Sequence, residues 1–269
     1  MGSPGLRIAY LGPTHSFTHE TLTLLYPEAE PVPAPSIREA VRLAEEGEVD
    51  KAFIPLENSF NGPVHETLDA LAETMLHISL CVERRIRLVA AGNPKADKVY
   101  GHPHALAAAS KWIEEHMPDA TPVPAPSTSL AAQLAARENQ ACICSRKAAE
   151  ANNLEILGED VGPKDNYTRF ILLEWRDNPR EADRTALVAI LPDKPGALYR
   201  FLEPLARHNV NLTMIYSRPA RTTPWRYLFY LEMEGSRTNP AIADALKEAR
   251  TRSLMLKILG SYPLKQLKH

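Results

Sequence analysis

Residues 26–36 read YPEAEPVPAPS, and residues 117–127 read MPDATPVPAPS; the PVPAPS ending is identical at an offset of 91 positions (26 to 117). The likeness runs in both directions. Upstream, RIAYLGP at 7–13 answers DKVYGHP at 97–103. Each is a short apolar strand that ends at a Pro-containing turn and passes into a helical stretch. Downstream, Ser36 precedes IREAVRLAEEGEVDKAFIP and Ser127 precedes TSLAAQLAARENQACICS. Each serine stands where a helix N-cap belongs, before an amphipathic helix and then a strand. Residues 6–175 therefore read as two β-α-β-α-β units, and two similar α/β units in one chain predict two lobes with a cleft between them.

In open α/β sheets, ligands lie beyond the carboxyl ends of the strands. The repeat thus directs attention to Thr14-His15-Ser16, Glu57-Asn58-Ser59, His102-Pro103-His104 and Ser127-Thr128-Ser129. Helix starts there offer free N–H groups and a partial positive charge, which suits an anionic small molecule. The plainer reading is that Ser36, Ser59 and Ser127 only cap helices. Glu57-Asn58-Ser59 is the most pointed case, because a buried-strand run, Ala52-Phe53-Ile54-Pro55-Leu56, delivers an acid, an amide and a hydroxyl together.

The 269 residues suggest about two domains. At 44% hydrophobic and 24% charged, with a formal charge of −2, the chain is an ordinary globular one. No basic patch points to nucleic acid or an acidic membrane surface. No apolar run is long enough to span a membrane, and no secretion signal opens the chain. Three cysteines, Cys81, Cys142 and Cys144, point to a reducing compartment, and the last two share one strand face as buried packing. His102-x-His104 and His15-x3-His19 have ligand-like spacing but lack Cys or Asp partners, so no metal is expected. No G-x-G-x-x-G or P-loop follows a strand, so no organic cofactor is expected either.

A charged stretch, RDNPREADR at 176–184, marks a boundary. Beyond it come a strand (185–191), a turn Asp193-Lys194-Pro195-Gly196-Ala197-Leu198 entering a helix, the strands NLTMIYSRPA and RYLFYLEMEG, the helix NPAIADALKEARTRS and the strand LMLKILGSYP. The order β-α-β-β-α-β is that of a ferredoxin-like unit.

Several segments resemble one family. PLENSFNGPVHETLDAL and KDNYTRF are similar to the two signature segments of prephenate dehydratases; HPHAL, PSTSLAAQLA and CSRKAAEANNLEIL match lesser ones. DKPGALYRFL and NLTMIYSRP resemble the phenylalanine-binding segments of the ACT domain that follows in that family. The resemblance implies an α/β fold: a two-lobed, periplasmic-binding-protein-like (type 2) catalytic domain over residues 1–178, then a ferredoxin-like βαββαβ ACT regulatory domain over 184–269. It implies conversion of prephenate to phenylpyruvate, with loss of CO2 and water, under control by L-phenylalanine. It also implies a cytoplasmic homodimer or homotetramer with no nucleic-acid or membrane partner.

By the same resemblance, Thr168 is the group at the substrate's ring hydroxyl. Asn58, Ser59 and Glu57 join it as catalytic residues. Ser127, Thr128, Arg169, Phe170, Ser16 and Gln133 bind substrate, with Phe170 read from the residues themselves as core packing. Gly196, Ala197, Leu198, Asn211, Leu212, Ser217, Arg218 and Pro219 bind the effector. Asn58, Ser59, Ser127 and Thr128 are neutral donors that suit the substrate's carboxylates, and aromatisation drives the reaction without an electron sink. A positioned hydrogen bond to the leaving oxygen is what the enzyme must add. Glu57 is out of place against an anion and reads either as a support for a lobe or a partner side chain or as a carboxyl kept protonated. Two departures stand out: His15 replaces the family's second glycine after the first strand, and Tyr216 replaces the acid of its E-S-R-P segment. His15 reads either as a solvated loop histidine in a left-handed conformation or as an added donor. The competing functions are a non-aromatising prephenate decarboxylase and a non-enzymatic two-lobed binding module fused to an amino-acid sensor.

Overall fold

The computed structural model describes residues 5–219 and 227–267. The first lobe comprises β1 (Arg7–Leu11), α1 (Phe17–Leu25), β2 (Glu30–Ala34), α2 (Ile37–Glu45), β3 (Lys51–Asn58), a short β4 (Gly62–Pro63), α3 (His65–Glu73) and β5 (His77–Arg85). The second lobe holds β6 (Val89–Gly92), β7 (Lys98–Gly101), α4 (Pro103–Ala108), α5 (Ser110–His116), β8 (Thr121–Pro124), α6 (Thr128–Glu138), β9 (Ala141–Cys144), α7 (Arg146–Ala151) and β10 (Ile156–Gly158). The chain then returns to the first lobe as β11 (Tyr167–Glu174). After a 3-10 turn at Pro179–Glu181 come β12 (Arg184–Ile190), α8 (Ala197–Arg207), β13 (Leu212–Pro219), β14 (Tyr227–Glu234), α9 (Pro240–Thr251), β15 (Met255–Tyr262) and β16 (Leu264–Leu267). Ala220 and Arg226, read from sequence as strand ends, lie outside the described residues.

The sequence repeat is a structural repeat down to its register. In the first lobe β1 pairs in parallel with β2, Arg7 opposite Glu30; in the second, β7 pairs in parallel with β8, Lys98 opposite Thr121, both members displaced by the same 91 positions. Each of β1 and β7 pairs on its other side with the third strand of its unit, β3 or β9. Ser36 and Ser127 do cap α2 and α6, accepting from Glu39 N and Leu130 N at 3.1 Å, contacts that stabilise a helix start by about 1 kcal/mol each. Ser16 and Ser145 cap α1 and α7 in the same way.

The lobes' sheets have strand orders β16-β5-β11-β3-β1-β2 and β10-β6-β9-β7-β8, and the C-terminal unit has β13-β14-β12-β15. β16 is unexpected. It follows Pro263 at the end of the stretch read as the regulatory unit, yet pairs in parallel with β5, Leu264 opposite Cys81. β15 itself runs close against β5. Gly260 has φ +152°, and a Cβ there would fall 2.3 Å from the carbonyl oxygen of Ile78, so only glycine fits.

The two faces of the first lobe's sheet do different jobs. One carries Ile8, Tyr10, Phe53, Leu80, Val82, Phe170 and Leu172 toward α1 and the second lobe's apolar residues. The other carries Ala9, Ile54, Leu56, Cys81, Ile171 and Leu173 toward α2, α3 and the C-terminal unit, whose Ala186, Val188, Met214, Tyr230 and Tyr262 share that core. The C-terminal sheet is thus packed face to face on the back of the first lobe's sheet. All three cysteines are free and buried, with Cys142 and Cys144 Sγ atoms 3.5 Å apart on β9.

Candidate active site

β11 lies between β3 and β5, antiparallel to both. Successive residues of a strand face opposite sides, so β11 presents alternate residues to the two faces. Thr168 is opposite Asn58 on β3 and Arg84 on β5; Arg169 is opposite Glu57 and Glu83. A register shift between Arg169 and Phe170, at Leu56 of β3, turns Glu57 to the rear while Leu56 stays in the core. The result is two rows, back to back: Asn58–Thr168–Arg84 on the face toward α1, and Glu57–Arg169–Glu83 on the face toward the regulatory unit.

The front row is held from the PLENSFNG loop. Asn58 Nδ2 donates to Asn166 Oδ1 at 2.8 Å, the carbonyl of Tyr167 at 3.0 Å and Thr168 Oγ1 at 3.0 Å. Its Oδ1 accepts from the backbone N–H groups of Phe60 and Asn61, both at 3.1 Å. Ser59 Oγ donates to the carbonyl of Asp165 at 2.8 Å and accepts from Tyr167 N at 2.9 Å. These bonds clamp KDNYTRF to β3 and leave Thr168 half-buried on the front face. They also correct the expectation that Asn58 and Ser59 offer themselves to carboxylates, because their bonding capacity goes to the protein. Their part is to hold Thr168. Ser59, exposed, caps no helix.

Three further expectations change. Phe170 is 1% exposed and stacks on Phe53 with centroids 5.5 Å apart, so it is floor beneath the row and cannot touch substrate. Arg169 turns away from the row and pairs with Glu83 (3.2 Å), Glu232 (3.5 Å) and Glu57 (3.7 Å). Burial works against its charge, but Glu232 and its other anionic neighbours outweigh that and raise its pKa. Glu57 is on the rear face too, accepting from Tyr216 Oη at 2.7 Å, which fits the support role read for it and removes it from the front row. Burial, then this bond to Glu57, pushes the Tyr216 phenol up to about 12.

The cleft side of α1 adds residues that sequence reasoning passed over. Glu20, 4% exposed, pairs with Arg84 Nη2 at 3.0 Å, while Arg84 Nη1 donates to Thr21 Oγ1 at 3.0 Å. The signal was present in CVERRI: alternation places Arg84 on the face of Val82 and Phe170, ahead of the core. His15 has φ +66°, the left-handed conformation its family glycine position predicts. Its N–H donates to His19 Nδ1 at 3.2 Å, and its carbonyl accepts from Ser145 Oγ of the second lobe at 3.3 Å, bridging the two lobes. Ser16 and Ser127 accept at helix starts with their hydroxyl protons still available; Thr128 is half-buried beside Ser127, and Gln133 is exposed on α6. A recess of about 410 Å³ around Asn93, Asn139, Gln140 and Asn153 holds none of the expected residues.

In the C-terminal unit, β12 and β13 both pair with β14, so Ile190 and Arg218 lie level across Leu228, and Thr185 and Leu212 across Met233. Gly196-Ala197-Leu198 follows the Ile190 end, with Gly196 at φ +75°; Ser217-Arg218-Pro219 shares that end. Asn211 and Leu212 lie at the other end of β13, roughly 20 Å away at strand rise. One chain therefore brings Gly196–Leu198 and Ser217–Pro219 to one end and leaves Asn211 and Leu212 at the other. Arg218 is tied to Asp69 of α3 at 3.1 Å.

Two α/β lobes closing beside a row of polar side chains, with a ferredoxin-like unit packed on the rear of the same strands, form the architecture of a bilobal small-molecule enzyme joined to a regulatory domain. The comparisons agree. The family model described as prephenate dehydratase matches residues 8–178, and the ACT domain model matches 185–251. The prephenate dehydratase of Amycolatopsis methanolica is 36% identical over 95% of this chain and 88% of its own length. Among solved structures, a prephenate dehydratase from Arthrobacter aurescens in complex with L-Phe superposes with a TM-score of 0.88 at 34% identity, covering 96% of this chain and 90% of that one. GqqA, described as a novel type of quorum quenching acylase, superposes with a TM-score of 0.86 at 27% identity, covering 96% and 98%. The chain belongs to the prephenate dehydratase family.

Proposed function

We propose that this chain converts prephenate to phenylpyruvate, that Thr168 donates to the departing ring hydroxyl, and that L-phenylalanine bound to the C-terminal unit controls the rate. The observation that carries the reading is the Asn58–Thr168 pair. An amide that donates to Thr168 Oγ1 occupies a lone pair of that oxygen, so the hydroxyl proton is directed elsewhere. A neutral donor is adequate because decarboxylation pushes electrons through the ring and the hydroxyl leaves as the ring becomes aromatic. A hydrogen bond that strengthens as charge grows on the leaving oxygen contributes several kcal/mol. Ser16, Ser127 and Thr128 supply neutral donors from helix starts for the carboxylates.

The regulatory reading is supported by the rear row. Thr168 and Arg169 are consecutive, and Arg169 and Glu57 meet Glu232 and Tyr216 of the C-terminal unit, so a shift of that sheet reaches the strand that carries Thr168. A site that joins Gly196–Leu198 to Asn211 and Leu212 requires a second copy, and β13 is an edge strand with Ile215 43% exposed. This supports a homodimer or homotetramer. Residues 1–178 form the catalytic unit and 184–269 the regulatory one, with β16 joining the first lobe's sheet. A cytoplasmic location fits the buried free thiols; no helix among the described residues is long and apolar enough to cross a membrane.

The test is direct. Purified protein is incubated with prephenate and the enol of phenylpyruvate is read in alkali. Its appearance supports the proposal; prephenate loss without an aromatic product points to the decarboxylase, and no loss to a binding module.

A further inference from the structure

We propose that Arg84 is the cation that receives the pyruvyl carboxylate of the substrate, with Glu20 as its positioning residue. The inference rests on the dehydratase reading and deepens it. Substrate is a dianion, and the front row must offer it positive charge. Arg169, the cation expected from sequence, is committed to three carboxylates on the opposite face. Arg84 stands directly across from Thr168 on β5, so their Cα atoms are about 5 Å apart, and its side chain is 19% exposed.

The guanidinium is held in place before any ligand arrives. Nη2 meets Glu20 and Nη1 meets Thr21 Oγ1, both on α1; Nε has no partner among the described residues. Nε–H and a second hydrogen on each terminal nitrogen are thus left for an anion, in the fork that binds a carboxylate through two bonds. Glu20 supports this from inside the fold: it is 4% exposed, and its Oε1 has no partner. A buried carboxylate is stable there only beside a cation, so Glu20 and Arg84 fix one another.

Chemistry selects which carboxylate. The ring carboxylate is lost as CO2, and its electron pair must flow into the ring. A guanidinium placed there would stabilise that charge where it starts and slow the step. The pyruvyl carboxylate passes unchanged into phenylpyruvate. Bonding it anchors substrate, transition state and product alike, which lowers KM and leaves kcat unaffected. It also makes the product a ligand of the same arginine.

The experiment is steady-state kinetics on prephenate with added phenylpyruvate, for wild type, Arg84→Gln, Arg84→Lys and the double variant Glu20→Gln/Arg84→Gln, which removes both charges together and leaves no lone buried carboxylate. Expected for Arg84→Gln and the double variant is a rise of about tenfold or more in KM and in the phenylpyruvate inhibition constant together, with kcat within about threefold of wild type. Arg84→Lys falls between. If the double variant melts like wild type and neither constant moves, Arg84 does not bind the carboxylate, and the dehydratase reading stands. If kcat falls while both constants hold, Arg84 is structural and the proposal fails. If wild type leaves prephenate untouched, the dehydratase reading fails first and takes this role with it.

Discussion

Asn58 Nδ2 donates to Thr168 Oγ1 across 3.0 Å, and the orientation of that amide is fixed by the two backbone N–H groups that donate to its Oδ1. That bond takes one lone pair of Thr168 Oγ1 and leaves its proton free to donate. Thr168→Ala removes the donor and is expected to lower kcat by about 100-fold. Thr168→Ser keeps the hydroxyl and loses much less. Asn58→Ala frees the threonine to rotate and unclamps KDNYTRF, so it lowers both kcat and melting temperature. Rates of phenylpyruvate formation decide this, and a Thr168→Ala enzyme with near-normal kcat removes Thr168 from the mechanism.

Much of this was legible because turns and caps punctuate the chain. PVPAPS, the serine caps and the Pro-containing turns set both lobes, and the repeat even carries its strand register. The identities of Asn58 and Thr168 were legible too. Which way each residue faces was not, because it depends on which strands flank β11 and on one register shift at Leu56. TRF therefore read with Thr168 and Arg169 both in the cleft and Phe170 as cleft or core, whereas alternation gives one to the cleft, one to the regulatory interface and one to the core. Arg84 was hidden for the same reason: in Arg84-Arg85 the two side chains part company, Arg85 going to Asp160 and the carbonyl of Lys164. β16 was missed because four residues at an edge carry too little alternation to read.

Tyr216 replaces an acid, and its phenol donates to Glu57 Oε1 at 2.7 Å, one residue from Asn58. Tyr216→Phe removes this tie while the ring still packs, so catalysis without effector is expected to stay close to wild type. The response to L-phenylalanine is expected to weaken, with the coupling falling by about 1 kcal/mol, the scale of one hydrogen bond. Titrating L-phenylalanine against initial rate for both proteins tests it. Identical curves place the coupling elsewhere, at Arg169–Glu232 or Arg218–Asp69.

Glu232 is 1% exposed and is held by Arg169, Thr213 Oγ1 at 2.6 Å and Tyr262 Oη at 2.8 Å. Arg169→Gln leaves this carboxylate, with Glu57 and Glu83, short of its nearest cation at the domain interface. Breaking a buried pair from one side costs about 3 kcal/mol or more. The expected result is a fall in unfolding free energy of that size, read as a lower urea midpoint without a change in m-value. A fall under about 1 kcal/mol means that water or Arg184, 4.0 Å from Glu232, takes over the compensation.

His19 gives the protein an acid limit. Its pKa lies below the usual 6.5 because of burial first, then His15 and Lys147, which outweigh Glu20. Its Nδ1 also accepts the N–H of His15 at 3.2 Å, a bond only the unprotonated nitrogen can make. A histidine whose folded pKa is depressed contributes stability that is complete above the unfolded value of 6.5 and disappears as pH falls through the folded value. Unfolding free energy is thus expected to climb with pH below 6.5 and level off above it. His19→Asn keeps an acceptor near the Nδ1 position and cannot titrate, so its profile should be flatter than that of wild type over that window. His102, also depressed by burial and by His104, is unchanged in the variant, and the difference between the two profiles isolates His19. Parallel profiles would show that the bond to His15 survives acid and that His19 sets no limit.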